Sequence, residues 1–264
     1  MVVEGEPNGT QRWIRVGQIV PSSNTTMETE LPAILRAREA IALERFTFHS
    51  SRMRMHRVTR EELAAMDADS DRCALELSDA RVDVLGYACL VAIMSNGSGY
   101  HRLAERRLEA VVTSNGHRAP VVTSAGALID GLKALGARKI ALLAPYVKPL
   151  TALVIDYIER EGIEVRDSIS LEIEDNLAVG ARDPLAPAEL CKRLDTRGVD
   201  AVVASACVQM PSLASLEILE RRLGLPVVSA AACTAYQVLQ RLGLPAVAPG
   251  AGMLLSGSRT AGSP

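Results

Sequence analysis

The sequence predicts an α/β protein in two copies of one unit, each a mainly parallel sheet with helices on its faces. Two observations predict it. Short apolar runs alternate with stretches of helical periodicity along the 264 residues, the rhythm of strand, helix and parallel strand. Segments of the first half also recur in the second. PVVTSAGALIDGLKALG at 120–136 resembles PVVSAAACTAYQVLQRLG at 226–243, and VDVLGYAC at 82–89 resembles VDAVVASAC at 199–207. Cys73 precedes Cys89 by the interval at which Cys191 precedes Cys207, and GQIVP ending at Pro21 matches IALLAP ending at Pro145.

VGQIV at 16–20 is the first strand; it runs into Pro21 and the loop PSSNTT. FTFHS at 46–50 is the second. The stretch 52–67 carries five basic side chains and then an acidic helix start, with Thr59 and Glu62 at capping-box spacing. REELAAMDADSDRCALELSDA at 60–80 has apolar positions at helical intervals. VDVLGYA at 82–88 is a strand that leads to Cys89. GSGYHR at 97–102 lacks the third glycine of a dinucleotide fingerprint and reads as a loop. PVVTS at 120–124, KIALLA at 139–144, VDAVVAS at 199–205 and PVVSA at 226–230 complete the strands. Residues 1–12 and the Gly-, Ser- and Pro-rich 255–264 are expected to be mobile tails.

Lys plus Arg is 29 against 31 Asp plus Glu, a net charge of −2, which supplies no cationic field for nucleic acid or an acidic membrane. With one Trp, five Tyr and two Phe, the core must come from Ala, Leu, Val and Ile, and platforms for stacked bases are not expected. MVVEGEPNGTQRW carries Glu4 and Glu6 and no apolar run, unlike a secretory leader, so a cytoplasmic location is expected. The uncharged stretch 223–240 is broken by Gly224, Pro226 and polar side chains, and no membrane span is expected. Five cysteines without a CxxC pair, and four histidines without zinc-ligand spacing, point to free thiols and no metal.

In open α/β sheets ligands bind beyond the carboxyl ends of the strands, so two facing copies place both sets of ends at one interdomain cleft. Cys89 and Cys207 hold equivalent positions there. Each precedes a helical pattern whose first-turn amides would stabilise a thiolate, and the duplicate placement favours a paired-thiol site over two buried fillers. Cys73, Cys191 and Cys233 lie in helical patterns among Ala and Leu and read as packing. Asn24 either caps the next helix or faces a ligand; Tyr146 is either a half-buried ring or a donor. Asn176 reads first as a turn residue. The basic 52–60 segment is either a solvated loop or a lid over an anion.

The strand-end cysteines, the duplicated halves and the motifs PSSNTTME, APYVKPL and EDNLAVG together resemble the maleate cis-trans isomerase family, within the aspartate/glutamate racemase and arylmalonate decarboxylase superfamily. The resemblance covers about residues 14–252. It implies two Rossmann-like parallel-sheet domains related by a pseudo-twofold axis, with the site in the interdomain cleft, no cofactor, and a small dicarboxylate between two thiols. Cys89 in GYACLVA corresponds to the nucleophile and Cys207 in SACVQMP to the acid/base. Asn24, Tyr146 and Asn176 match side chains that hold carboxylates, together with the backbone amides of Leu90, Val91 and Val208. The last PVV strand and its helix are implied to return to the first domain, giving 1–117 with 226–264 as one domain and 118–225 as the other.

The implied reaction is cis-trans isomerisation of maleate to fumarate, by thiolate addition, rotation in a succinyl-cysteine intermediate and elimination. Amino-acid racemases carry polar residues beside their cysteines, where this chain has Leu90, Val91 and Val208. Decarboxylases keep only the second-half thiol, where this chain has both. A non-catalytic dicarboxylate-binding protein is the alternative of another class. The implied partners are the dicarboxylate and further copies of the chain as a dimer or tetramer, and the substrate points toward degradation of pyridine compounds such as nicotinate.

Overall fold

Short runs that are apolar on both faces become the strands of two parallel sheets, because burial leaves the ladder as the only partner for their backbone groups. The structure, a computed structural model, describes residues 12–257. Of the expected tails, 1–11 and 258–264 lie outside the described residues. Arg12 opens the first strand, and Leu255 is fully buried in a 3-10 turn, so both belong to the fold.

The first half runs β1 (Arg12–Pro21), α1 (Met27–Arg38), β2 (Glu44–Met53), α2 (Arg60–Asp79), β3 (Val84–Tyr87), α3 (Leu90–Met94), α4 (Tyr100–Ser114), β4 (Val121–Thr123) and α5 (Ser124–Ala134). The second runs β5 (Lys139–Ala144), α6 (Lys148–Arg160), β6 (Glu164–Ser170), α7 (Asn176–Gly180), α8 (Ala186–Leu190), β7 (Ala201–Ser205), α9 (Leu213–Leu223), β8 (Val227–Ser229) and α10 (Ala230–Arg241). One sheet has the order β2-β1-β3-β4 and the other β6-β5-β7-β8, with every pair parallel. The duplication read from the sequence is thus a duplication of topology. In each sheet the strand order reverses beside the first strand, and a crevice for ligands opens at such a switch point.

Three expectations are corrected. PVVTS lies in the segment expected to form the second domain and PVVSA in the segment expected to return to the first, but β4 pairs with β3, Leu85 opposite Val121, and β8 pairs with β7, Val202 opposite Val227. Each short strand joins the sheet its own half has begun, because a crossover returns to the neighbouring place in that sheet. The helix does cross, since α10 packs on α1, β3 and β4. There it meets α5 so closely that a Cβ at Gly131 would stand 2.7 Å from the Cys233 sulfur, which makes Cys233 a packing residue. Strand β6 is an element the sequence does not announce: EVRDSIS is an edge whose side chains are exposed or half-buried, none fully buried, so it has no continuous apolar run. GSGYHR is a loop only as far as Gly99, whose φ of 72° suits glycine, and Tyr100 begins α4.

The start of α2 follows the expected cap in part. Thr59 Oγ1 accepts from the Glu62 amide at 3.3 Å, while Glu62 reaches back to the amides of His56 and Arg57 at 2.6 and 2.9 Å. The halves are stapled beside the crevice by Glu30 of α1, a buried carboxylate accepting from the amides of Ser212 and Leu213 at 2.6 and 2.7 Å, at the start of α9. No described helix is long and apolar enough to cross a membrane.

Candidate active site: a narrow cavity between two thiols

Each of the eight site residues expected from the sequence lines one cavity. Asn24 follows β1, Cys89, Leu90 and Val91 follow β3, Tyr146 follows β5, Asn176 opens α7, and Cys207 and Val208 follow β7. Met55, Val58 and Gln209 line it too and were not singled out from the sequence. Cys89 and Cys207 are each 6 % exposed. Cys73 and Cys191 are buried elsewhere and line none of it.

Local chemistry explains how the side chains are presented. Asn24 Oδ1 accepts from the amides of Thr26 and Met27 at 3.1 and 2.9 Å, closing the turn into α1. The capping and ligand readings are therefore compatible, because the oxygen is used locally and the NH2 remains. At Asn176 the turn role falls on its neighbour: Asp175 Oδ1 accepts from Leu177 N at 2.9 Å, while Asn176 Nδ2 donates to Ser23 Oγ at 2.8 Å, across the crevice. Cys89 sits in extended conformation as the first cap of α3, φ −154° and ψ 93°, which aims the following amides at its own sulfur and the space above it.

Only Cys89 is followed directly by a helix, because after Cys207 the chain turns and α9 begins at Leu213, and at both thiols the expected thiolate stabilisation is outweighed by burial. Removal from water pushes the Cys89 thiol up to about 12, against one opposing donor, the Ala92 amide, and a charge on Cys207 pushes the same way as burial. Burial also raises Cys207, but three donors oppose it: the Tyr146 hydroxyl and the amides of Gln209 and Met210. Gln209 N lies 3.4 Å from Cys207 Sγ. Of the pair, Cys207 is the better supported as an anion. Tyr146, buried and hydrogen-bonded to Cys207, is held well above its ordinary value and stays a neutral donor.

The cavity lining has no charged side chain among the described residues. Arg52, in the basic segment, donates instead to the carbonyls of Ser22 and Asn24 at 2.8 and 3.2 Å and pairs with Glu28. It fixes the loop that carries Asn24. His56 and Arg57 line an adjoining cavity of about 700 Å³ that shares Val58 and Tyr146 with the inner one. Arg57 forms an antiparallel bridge with Asp175 across the opening. The inner space is about 20 Å³, room for about one water, and it meets the larger cavity at Val58 and Tyr146.

A pH dependence follows from the thiols. Addition of sulfur to carbon requires one proton to leave the pair, and both sulfurs are raised by burial. The competent anion therefore becomes more populated as pH rises. We expect log kcat/KM, which reports the free enzyme, to climb with near-unit slope from about pH 7 to 9. A profile flat over that range would contradict the buried-thiol electrostatics.

Two parallel α/β halves facing each other across a thiol pair, with only neutral donors around it, define a duplicated two-cysteine α/β protein. A family profile described as arylmalonate decarboxylase matches residues 16–255. The maleate isomerase of Geobacillus stearothermophilus is 62% identical over 244 residues, covering 92% of this chain and 97% of that protein. The crystal structure of a Cys-to-Ala variant of the Pseudomonas putida S16 maleate isomerase with maleate superposes with a TM-score of 0.93 at 61% identity, covering 94% of this chain and all of that one. A Cys-to-Ser mutant of the Nocardia farcinica maleate cis-trans isomerase, with a covalently bound succinylcysteine intermediate, gives 0.90 at 46% identity, covering 93% and 99%. The chain belongs to the maleate isomerase family.

Proposed function

We propose that this protein isomerises maleate to fumarate without a cofactor, with Cys89 as nucleophile and Cys207 as acid/base. The observation that carries the reading is the pair of thiols at equivalent strand ends in one cavity lined by neutral donors. Rotation about the alkene is prohibited until its bond order falls, and addition of sulfur achieves that. Cys207, supported by Tyr146 and two amides, takes the Cys89 proton as the Cys89 sulfur bonds to C2. The alkene pair moves to C3 and its carboxylate, and Cys207 returns the proton to C3. The product of this half is a succinyl thioether with a single C2–C3 bond. After rotation Cys207 removes the C3 proton, the C2–S bond breaks, and fumarate leaves while Cys89 recovers a proton.

The developing enediolate needs donors already in place, since reorienting them during the step would cost the rate. The Asn24 NH2, the Asn176 side chain and the amides of Leu90, Val91 and Val208 fill that role. Tyr146, neutral throughout, holds the Cys207 sulfur. Apolar Val58, Met55, Leu90, Val91 and Val208 exclude water from the carbanion. The expected assay result, by proton NMR, is loss of the maleate vinyl signal with stoichiometric growth of that of fumarate, and no reaction of aspartate, glutamate or an aryl malonate. An unchanged maleate spectrum beside consumption of one of the others would overturn the assignment.

A further inference from the structure

We propose that Gln209 is the positioning residue that holds this site closed, clamping the Asn24 loop of the first half to the Asn176 turn of the second. Every hydrogen-bonding capacity of its buried side chain is spent, on the first half across the crevice and on the Asn176 turn of its own half. Its Oε1 accepts from the amides of Thr25 at 2.8 Å and Thr26 at 3.3 Å. Its Nε2 donates to the Ser23 carbonyl at 3.1 Å and the Asn176 carbonyl at 2.9 Å, with Thr25 Oγ1 at 3.5 Å. The side chain is 2 % exposed, so these partners cannot be replaced by water without opening the crevice. The backbone of the same residue gives its N–H to Cys207 Sγ. One residue therefore joins three parts of the site: the loop that presents Asn24, the turn that presents Asn176, and the second thiol.

The neighbourhood is built to that fit. A Cβ at Gly180, the last residue of α7, would collide with Gln209 Nε2 and stand 2.8 Å from Thr25 Oγ1. Gly180 is not among the residues with positive φ, so its backbone suits alanine and only the clamp forbids a side chain. The inner space between the thiols is smaller than a dicarboxylate, although it meets a larger cavity at Val58 and Tyr146, so seating substrate between the thiols requires the halves to part and come together again. Without the clamp the closed state is a smaller fraction of the molecules, and apparent affinity falls by that fraction while saturating substrate restores closure.

The clamp deepens the proposed function, so its test has an arm that needs no substrate. Gln209→Met keeps length and volume and removes every bond of the side chain. Gly180→Ala displaces Gln209 without altering it and serves if the first variant folds poorly. In the absence of ligand, iodoacetamide is expected to label Cys89 and Cys207 at least about tenfold faster in either variant, with Cys73, Cys191 and Cys233 unchanged. With maleate, KM is expected to rise about tenfold or more and kcat to change less than about threefold. Unchanged labelling of the two site thiols would overturn the proposal. Equal acceleration at all five thiols would also overturn it, by showing loss of stability in general. A wild type inactive on maleate would refute the functional reading and leave the labelling result to decide the clamp.

Discussion

Cys89→Ala is expected to lower maleate turnover by at least about 10⁴-fold, because no other group in the cavity lining can form the carbon–sulfur bond that frees the alkene to rotate. Cys207 is the other thiol in that lining, but it is engaged by Tyr146 and two amides and has its own task in moving the proton. The variant should stay folded. A Cys-to-Ala change at a cavity wall removes one sulfur that faces the cavity rather than the packed core, and Tm is expected to stay within about 4 °C of wild type. Cys233→Ala should behave in the opposite way, since its sulfur packs against Gly131 where α10 meets α5. Stability should fall there and kcat should not. Turnover that survives in a folded Cys89→Ala protein would remove the nucleophile from the account.

The second large effect is expected at the other thiol. Cys207→Ser keeps a hydroxyl of similar size but replaces the acid/base with a group that neither gives up nor takes a proton near neutral pH. Steady-state turnover should fall by at least about 10³-fold. The loss should be in kcat, because carboxylate recognition rests on Asn24, Asn176 and backbone amides that the change leaves alone. A rise in KM with kcat preserved would assign Cys207 to binding. Tyr146→Phe should give a smaller loss in the same direction, as it removes one of three donors to that sulfur.

Much of this site was legible in the sequence because its residues fall at strand ends, and strand ends follow from apolar runs. VDVLGYA and VDAVVAS are fully buried strands from Val84 and Ala201 onward, so their alignment brought Cys89 and Cys207 into register as a pair. What stayed hidden depends on contacts between distant segments. Gln209 carries no local signal, since its partners are Ser23, Thr25, Thr26 and Asn176. The thiol electrostatics differ from the sequence expectation for the same reason. The helix start after Cys89 is visible in a sequence, whereas the turn that brings the Gln209 and Met210 amides to Cys207, and the burial that outweighs these donors, exist only in the folded protein. The exchanged strands illustrate a third limit: PVV reads alike in β4 and β8, and only the pairing with Leu85 or Val202 says which sheet each one joins. Edge strand β6 was lost because half-buried side chains leave no apolar run.

The central claim is that Cys89 bonds to the substrate, and intact-mass spectrometry of maleate-soaked Cys207→Ser protein tests it most directly. Addition and protonation retain every atom of maleic acid, so an increment of about 116 Da is predicted, located by peptide sequencing on Cys89. Without Cys207, solvent slowly takes the Cys89 proton as sulfur adds and supplies one at C3, which completes the adduct, whereas reversal needs a base at C3, so the species should accumulate. An equal increment found only on Cys207 in the Cys89→Ser protein would exchange the two roles. Absence of any adduct in protein that still turns over, with solvent deuterium entering unrearranged maleate, would contradict covalent addition.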